Sequence, residues 1–228
     1  MRIRHSYLLA VSAMFASAGN SAVHIAIPWL VLEITGSSAN AGVVLGISGF
    51  SVIFTAPIIG GLIAVLGARP VSIWADIISA ASVLLFPIVG TLFGLNLASL
   101  LIIAIAGALF DPAGATARKS LIQAVAERDG LSLTKFNGTY EAAATIGTVI
   151  GPTGAALAIS FVGINTTFYL IAIVFVLASC LAFFIPVVTS HIRTKESFSV
   201  GNVFRETRIG MNALWRDKPL LSLVGLYT

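Results

Sequence analysis

The chain has 228 residues, 57% of them hydrophobic and 10% charged, with a mean hydropathy of +1.01. Soluble domains carry about 25% charged residues, so a soluble core could not hide this much apolar surface, and the chain reads as an all-α integral membrane protein. The single cysteine, Cys180, lies in an apolar run and offers no disulfide framework or metal cluster. The 13 Lys and Arg sit in short segments between apolar runs, not in a basic domain that would bind nucleic acid. No cofactor is expected.

Six apolar runs approach the roughly 20 residues needed to cross a hydrocarbon core of about 30 Å. They are Tyr7–Leu32, Ala41–Leu66, Val71–Phe93, Leu97–Ala117, Phe136–Val162 and Thr166–Val188. The first follows Arg2, Arg4 and His5 and contains Ala16-Ser17-Ala18, a pattern shared with cleavable signal peptides. Apolar sequence nevertheless continues to Leu32, and cleavage after Ala18 would strand a remnant too short to cross. An uncleaved first span is therefore expected.

The connecting segments alternate in charge. Glu33–Asn40, Gly94–Asn96 and Gly163–Asn165 contain no Lys or Arg, whereas Arg69, Arg118, Lys119, Arg128, Lys135 and the basic residues after span six all fall on the opposite side. The positive-inside bias predicts a cell (inner) membrane protein with its N-terminus and C-terminal tail in the cytoplasm.

Residues 1–188 are thus expected to form a six-helix bundle. Residues 189–218 read as a cytoplasmic linker, in which Val200, Val203, Phe204, Thr207, Met211, Leu214 and Trp215 recur at helical spacing, as in a helix lying on the inner membrane surface. In residues 219–228, Pro219 precedes a largely apolar run of nine residues, Leu220–Thr228, which reads as the start of a seventh span.

The fifth run holds the stretch TIGTVIGPTGAALAI (Thr145–Ile159), with Gly147, Gly151, Pro152 and Gly154. In water such a helix would be weak. In a membrane, small residues let two backbones approach closely and neighbours satisfy the carbonyl that proline frees. A tight helix contact with a bend at Pro152 is expected. Span two carries Pro57, Gly60 and Gly61 in the matching place of a three-plus-three division and runs the opposite way, which points to two inverted three-helix repeats.

Ionisable groups inside a membrane cost about 2.5–3.5 kcal/mol or more when central, so they are candidates for function. Glu141, Asp111 and Asp76 are candidates for carrying a coupling proton, with Glu141 preferred. Asp76 also falls near Arg118 at the inner ends of adjacent spans, where a structural pair is the alternative. Glu141 has Lys135 or Arg118 as alternative partners. Asn20 and His24, one turn apart in span one, and Glu33 at its outer end are candidates for lining a cavity and meeting a small-molecule substrate.

In order along the chain, Pro28–Gly42 (PWLVLEITGSSANAG), Ala56–Asp76 (APIIGGLIAVLGARPVSIWAD), Phe110–Gly138 and Ile146–Ala158 (IGTVIGPTGAALA) resemble the N-terminal half of a major facilitator superfamily transporter. The likeness is greatest to bacterial macrolide-efflux-type drug–proton antiporters. It implies a secondary transporter working by alternating access, exporting small amphipathic compounds against protons, with a second six-helix half on the same or a separate chain. Gly60, Gly67 and Arg69 match the family's loop between spans two and three, and Gly147, Gly151, Pro152 and Gly154 resemble its antiporter motif; with Arg118 they are the gating and structural candidates. Ala64 and Val65 stand where the family carries Asp-Arg, a departure that touches the cytoplasmic gate.

Three other readings compete. Gly46-Ile47-Ser48-Gly49 matches the Gly-x-Ser-Gly of intramembrane serine proteases, but that chemistry needs a histidine base in reach of the serine, and His24 stands at the wrong place in the chain for that family. An ATP-driven exporter half would carry long cytoplasmic helix extensions, and these loops are short. An enzyme is therefore not expected. A nonfunctional or regulatory truncated membrane protein without autonomous transport is the main alternative.

Overall fold

The computed structural model describes residues 5–185, and of residues 51–54, 56 and 57 the backbone alone. The tail helix and seventh span expected from the sequence lie outside the described residues. Among these residues the secondary structure is helical: α1 (His5–Thr35), α2 (Ser38–Leu66), α3 (Ala68–Phe93), α4 (Leu97–Ala108), α5 (Asp111–Asp129) and α6 (Leu133–Phe183). Four stretches are long and apolar enough to cross a membrane: His5–Thr35, Ala68–Phe93, Leu97–Asp129 taken across the α4–α5 turn, and Leu133–Phe183. Trp74, Leu92, Phe93 and Phe161 are exposed on the outside of the bundle, a surface suited to lipid rather than water.

The connections are short because glycine turns them. Gly36, Gly67, Gly94, Gly130 and Gly163 all have positive φ. Gly67 is the whole link between α2 and α3: its φ of 88° ends one helix, and its carbonyl accepts from Val71 as the next begins. An L-residue with a side chain would be strained there. At the start of α4, Asn96 and Ser99 exchange a capping box, each side chain bonding the other's backbone N–H at 2.9 Å.

Helix α6 has 51 residues, about 75 Å at 1.5 Å per residue, far more than one crossing. Its backbone stays helical through Pro152 and leaves the helical region at Gly163, with φ 80° and ψ 166°. The two arms, 133–162 and 164–183, both pack on α1. Gly147 and Gly151 face Met14 and Ala18, so the first arm runs parallel to α1; Phe175 lies on Gly19 and Ala178 on Ser12, so the second returns antiparallel. The chain therefore reverses at Gly163.

The first arm meets α1 backbone to backbone. A Cβ on Gly147 would collide with the Met14 carbonyl oxygen and reach within 3.0 Å of the Ala18 amide nitrogen. One on Gly151 would collide with the Ala18 carbonyl oxygen. The contact continues through Ala155, which is buried with Ala22 and Ala26 of α1. Residues 147, 151 and 155 form one i+4 ridge set against the ridge 14, 18, 22. Gly154, expected in the same contact, has no side chain or foreign backbone within 4 Å of its would-be Cβ; it lies off that ridge.

The sequence placed the end of the fourth span at Ala117 and Arg118, Lys119 and Arg128 in a loop. In the structure α5 carries all three, and the helix is interrupted earlier, at Leu109–Phe110. Phe110 N–H turns to the Gly107 carbonyl at 3.1 Å, and Pro112 follows in the first turn of α5. Proline has no N–H and is tolerated there.

Candidate functional site: a cavity within the helix bundle

A cavity of about 460 Å³ opens between α1, α2, α3, α4, α5 and the second arm of α6. Its wall is mainly apolar, with Ile27, Val83, Phe86, Ile103 and Phe175 among the lining residues. Its polar contributions come from Asn20 and His24 of α1, Ser48 of α2, Ser82 of α3 and Asp111 of α5. The structure thus brings Asn20, His24 and Asp111 together around one space. Gly19 makes room for Phe175, whose ring atoms would lie 2.9 Å from a Cβ there. Phe86 stacks on Phe168 behind it, ring centroids 4.9 Å apart.

Asp111 is the acidic residue of this wall. It opens α5 directly after the interruption, and its Oδ1 accepts from Ser79 Oγ at 3.0 Å. Its partner is therefore a side chain of α3. Asn20 Oδ1 is buried and has no hydrogen-bond partner among the described residues. A buried acceptor left unpaired costs about 1–3 kcal/mol, which a donor entering the cavity would recover.

Toward the end of the bundle where α1 begins, the cavity is backed by a buried network. Arg118 Nη2 pairs with Asp76 Oδ2, and both side chains are almost sealed, at 2% and 4% exposure. Arg118 Nε donates to Ser12 Oγ at 3.1 Å, and Ser12 Oγ donates to the Ala178 carbonyl at 2.9 Å. Four elements, α1, α3, α5 and α6, are tied through this arginine. Gly114, one turn before Arg118, leaves the space the pair needs: a Cβ there would lie 3.1 Å from Arg118 Nη1 and 3.3 Å from Ala75 Cβ.

The other sequence candidates lie elsewhere. Glu141 does not line the cavity; its Oε1 meets Lys119 Nζ at 3.0 Å, with the two side chains 46% and 58% exposed. Its partner is neither Lys135 nor Arg118. Glu33 is exposed at the far end of α1. Gly60 has no neighbour within 4 Å of a would-be Cβ. Arg69 donates to the Phe183 carbonyl and lies over the Phe183 ring, 5.3 Å from its centroid, so it holds the C-terminal end of α6. Asp129, not singled out in the sequence, accepts from the Ser6 amide at 2.8 Å and from His5 Nδ1 at 3.2 Å, capping α1 from the end of α5.

Ser12, Ser79, Ser82, Phe86 and Phe175 were also missed. For the serines a signal existed: Ser79 and Ser82 follow Asp76 at three-residue steps on one helix, a polar file in an apolar span.

An apolar helical bundle enclosing a mostly apolar cavity with a few convergent polar groups defines a membrane protein that handles a small molecule, and comparison with known families agrees. The model of the Major Facilitator Superfamily matches residues 9–228, and the chain belongs to that family. It is a multi-pass membrane protein of a transporter family and not an enzyme. It is 37% identical over 163 residues to the multidrug efflux pump Tap of Mycolicibacterium fortuitum, covering 70% of this chain and 40% of that protein. It is 35% identical over 173 residues to the multidrug efflux pump Tap of Mycobacterium tuberculosis (strain ATCC 25618 / H37Rv), covering 75% of this chain and 41% of that protein. The matched part therefore spans about two fifths of the length of these relatives.

Proposed function

We propose that the chain acts as the N-terminal half of a proton-coupled efflux transporter for small amphipathic compounds, working by alternating access. The observation that carries this reading is the placement of Asp111, with Asn20 and His24, in the wall of an otherwise apolar cavity. The apolar wall takes the body of the compound, and Asn20 and His24 orient its polar end. Asp111 takes the coupling proton from one side and releases it to the other, and an arriving substrate displaces it. Asp111 is preferred to Glu141 because Glu141 is half-exposed and already paired with Lys119. Asp76 is a structural partner of Arg118 in this reading.

In the membrane the bundle crosses six times. Residues 5–93 form one three-helix repeat, and 97–129 with the two arms of α6 form its inverted counterpart. The described residues, 5–185, belong to that bundle. The basic residues put the N-terminus and tail in the cytoplasm of a cell with this protein in its inner membrane. A second six-helix half closes the other side of the cavity. The names of the Tap relatives, multidrug efflux pumps, support export as the direction.

One observation favours a second reading. Arg69 is engaged with Phe183 of its own half, while Ala64 and Val65 replace the charged pair of the family's cytoplasmic gate. A chain without that gate would be a non-transporting or regulatory membrane protein. The two readings are separated by expressing the chain, alone and with a second six-helix half, in cells stripped of their own pumps. Export of a fluorescent amphipathic compound, lost in Asp111→Asn and on collapse of the proton gradient, supports the transporter. No export under either condition supports the second reading.

A further inference from the structure

α3 and the α4–α5 pair run antiparallel along a polar seam. Asp76 meets Arg118, Ser79 meets Asp111, and Ser82 lies against Gly107, where a Cβ would be 3.0 Å from Ser82 Oγ. Along this seam Ser79 holds a particular position. It is almost fully buried, at 3% exposure, and its Oγ is 3.0 Å from Asp111 Oδ1. Its own carbonyl receives Ser82 Oγ at 2.9 Å, so both its polar ends are fixed within the seam. Asp111, in turn, sits immediately after the interruption at Leu109–Phe110, where the helical bonds tighten to three-residue steps, Phe110 N–H to the Gly107 carbonyl and Ala113 N–H to the Phe110 carbonyl. The ionisable groups facing it are His24 of α1 in the same cavity wall and, along the seam, Asp76 of α3 with its partner Arg118 of α5.

We propose that Ser79 is a positioning residue for Asp111, the tether through which the protonation state of that carboxyl is felt by α3 and by the α4–α5 interruption. This rests on the reading of Asp111 as the proton-bearing group. A hydroxyl is one donor and two acceptors. With Asp111 ionised, Ser79 O–H donates to a full negative charge, a bond roughly twice as strong as a neutral one. When Asp111 takes a proton the bond becomes neutral and weakens, and the interruption is held less firmly to α3. The same bond favours the ionised carboxylate, because hydrogen bonding to a charged form stabilises it. Removing the hydroxyl should therefore move the protonation of Asp111 to higher pH.

The test is infrared difference spectroscopy of the purified full chain in lipid, following the protonated-carboxyl C=O stretch against pH. Asp111→Asn identifies the band by deleting it. Ser79→Ala is expected to move the midpoint of that band up by about one pH unit, equivalent to about 1.4 kcal/mol. Ser79→Thr, which keeps a hydroxyl, is expected to stay near the parent, and Ser79→Val, of the same shape without it, to follow Ser79→Ala. The Thr–Val pair keeps the comparison interpretable if the Ala variant does not fold. A band that Asp111→Asn deletes but whose midpoint is the same in the Thr and Val variants overturns the role of Ser79 and leaves Asp111 in place. A spectrum in which Asp111→Asn deletes no titrating band overturns the reading of Asp111 itself.

Discussion

Asp76 and Arg118 pair carboxylate to guanidinium inside the bundle, with almost no exposed surface on either side chain. A buried ion pair is weak evidence of net stability, since desolvation offsets much of the attraction, but removing one partner strands the other. Arg118→Leu and Asp76→Leu should each destabilise the bundle by about 3–5 kcal/mol, while the double Leu variant should recover most of the loss. Unfolding in mixed micelles measures all three. Equal losses in single and double variants would show that Arg118 acts mainly through Ser12, the other contact of its guanidinium.

The α1–α6 contact predicts a difference between neighbouring glycines. Gly147→Ala and Gly151→Ala each drive a methyl into a carbonyl of α1 and should destabilise by about 1–3 kcal/mol, as overpacking does. Gly154→Ala meets nothing within 4 Å. It should be neutral or gain up to about 1 kcal/mol from helix propensity. Thermal aggregation midpoints of the three purified variants check the order.

The cap on α1 comes from another helix. Asp129→Ala frees the Ser6 amide and should cost about 1 kcal/mol, in the range of an N-cap loss. The effect should be local: hydrogen exchange in the first turn of α1 should quicken, while exchange around Gly147 stays the same.

Much of this arrangement was legible in the sequence. Hydropathy and the charge of the loops marked the apolar runs, and glycines at four-residue spacing marked a close helix contact. Asp76 and Arg118 could be paired because both sat near the inner ends of adjacent spans. The partner of Glu141 was missed for a related reason. Ending the span at Ala117 put Arg118 and Lys119 in a loop, where the two were interchangeable. On the continuous helix α5 they point about 100° apart, one into the bundle and the other to Glu141. Gly154 was misplaced because spacing along one helix does not reveal the angle at which its partner crosses. Ser79 and Asp111 needed the register between two helices, which no single-helix pattern contains.

Two of the three acids first weighed for coupling, Glu141 and Asp111, should behave differently in transport. Glu141→Gln removes a half-exposed ion pair and should change stability by no more than about 1 kcal/mol, leaving gradient-driven export close to the parent. Asp111→Asn should retain the fold and lose the dependence on the gradient. Export from cells at several external pH values distinguishes them, and the reverse pattern would return Glu141 to the leading place.

Exchange of a proton for substrate at Asp111 is tested most directly by proton release on binding. An amphipathic ligand is added to the purified protein in weakly buffered detergent, and the pH is followed. Ligand-dependent acidification is expected in the parent and in Glu141→Gln, and none in Asp111→Asn despite retained helical structure. Undiminished release from Asp111→Asn would show that another group carries the proton.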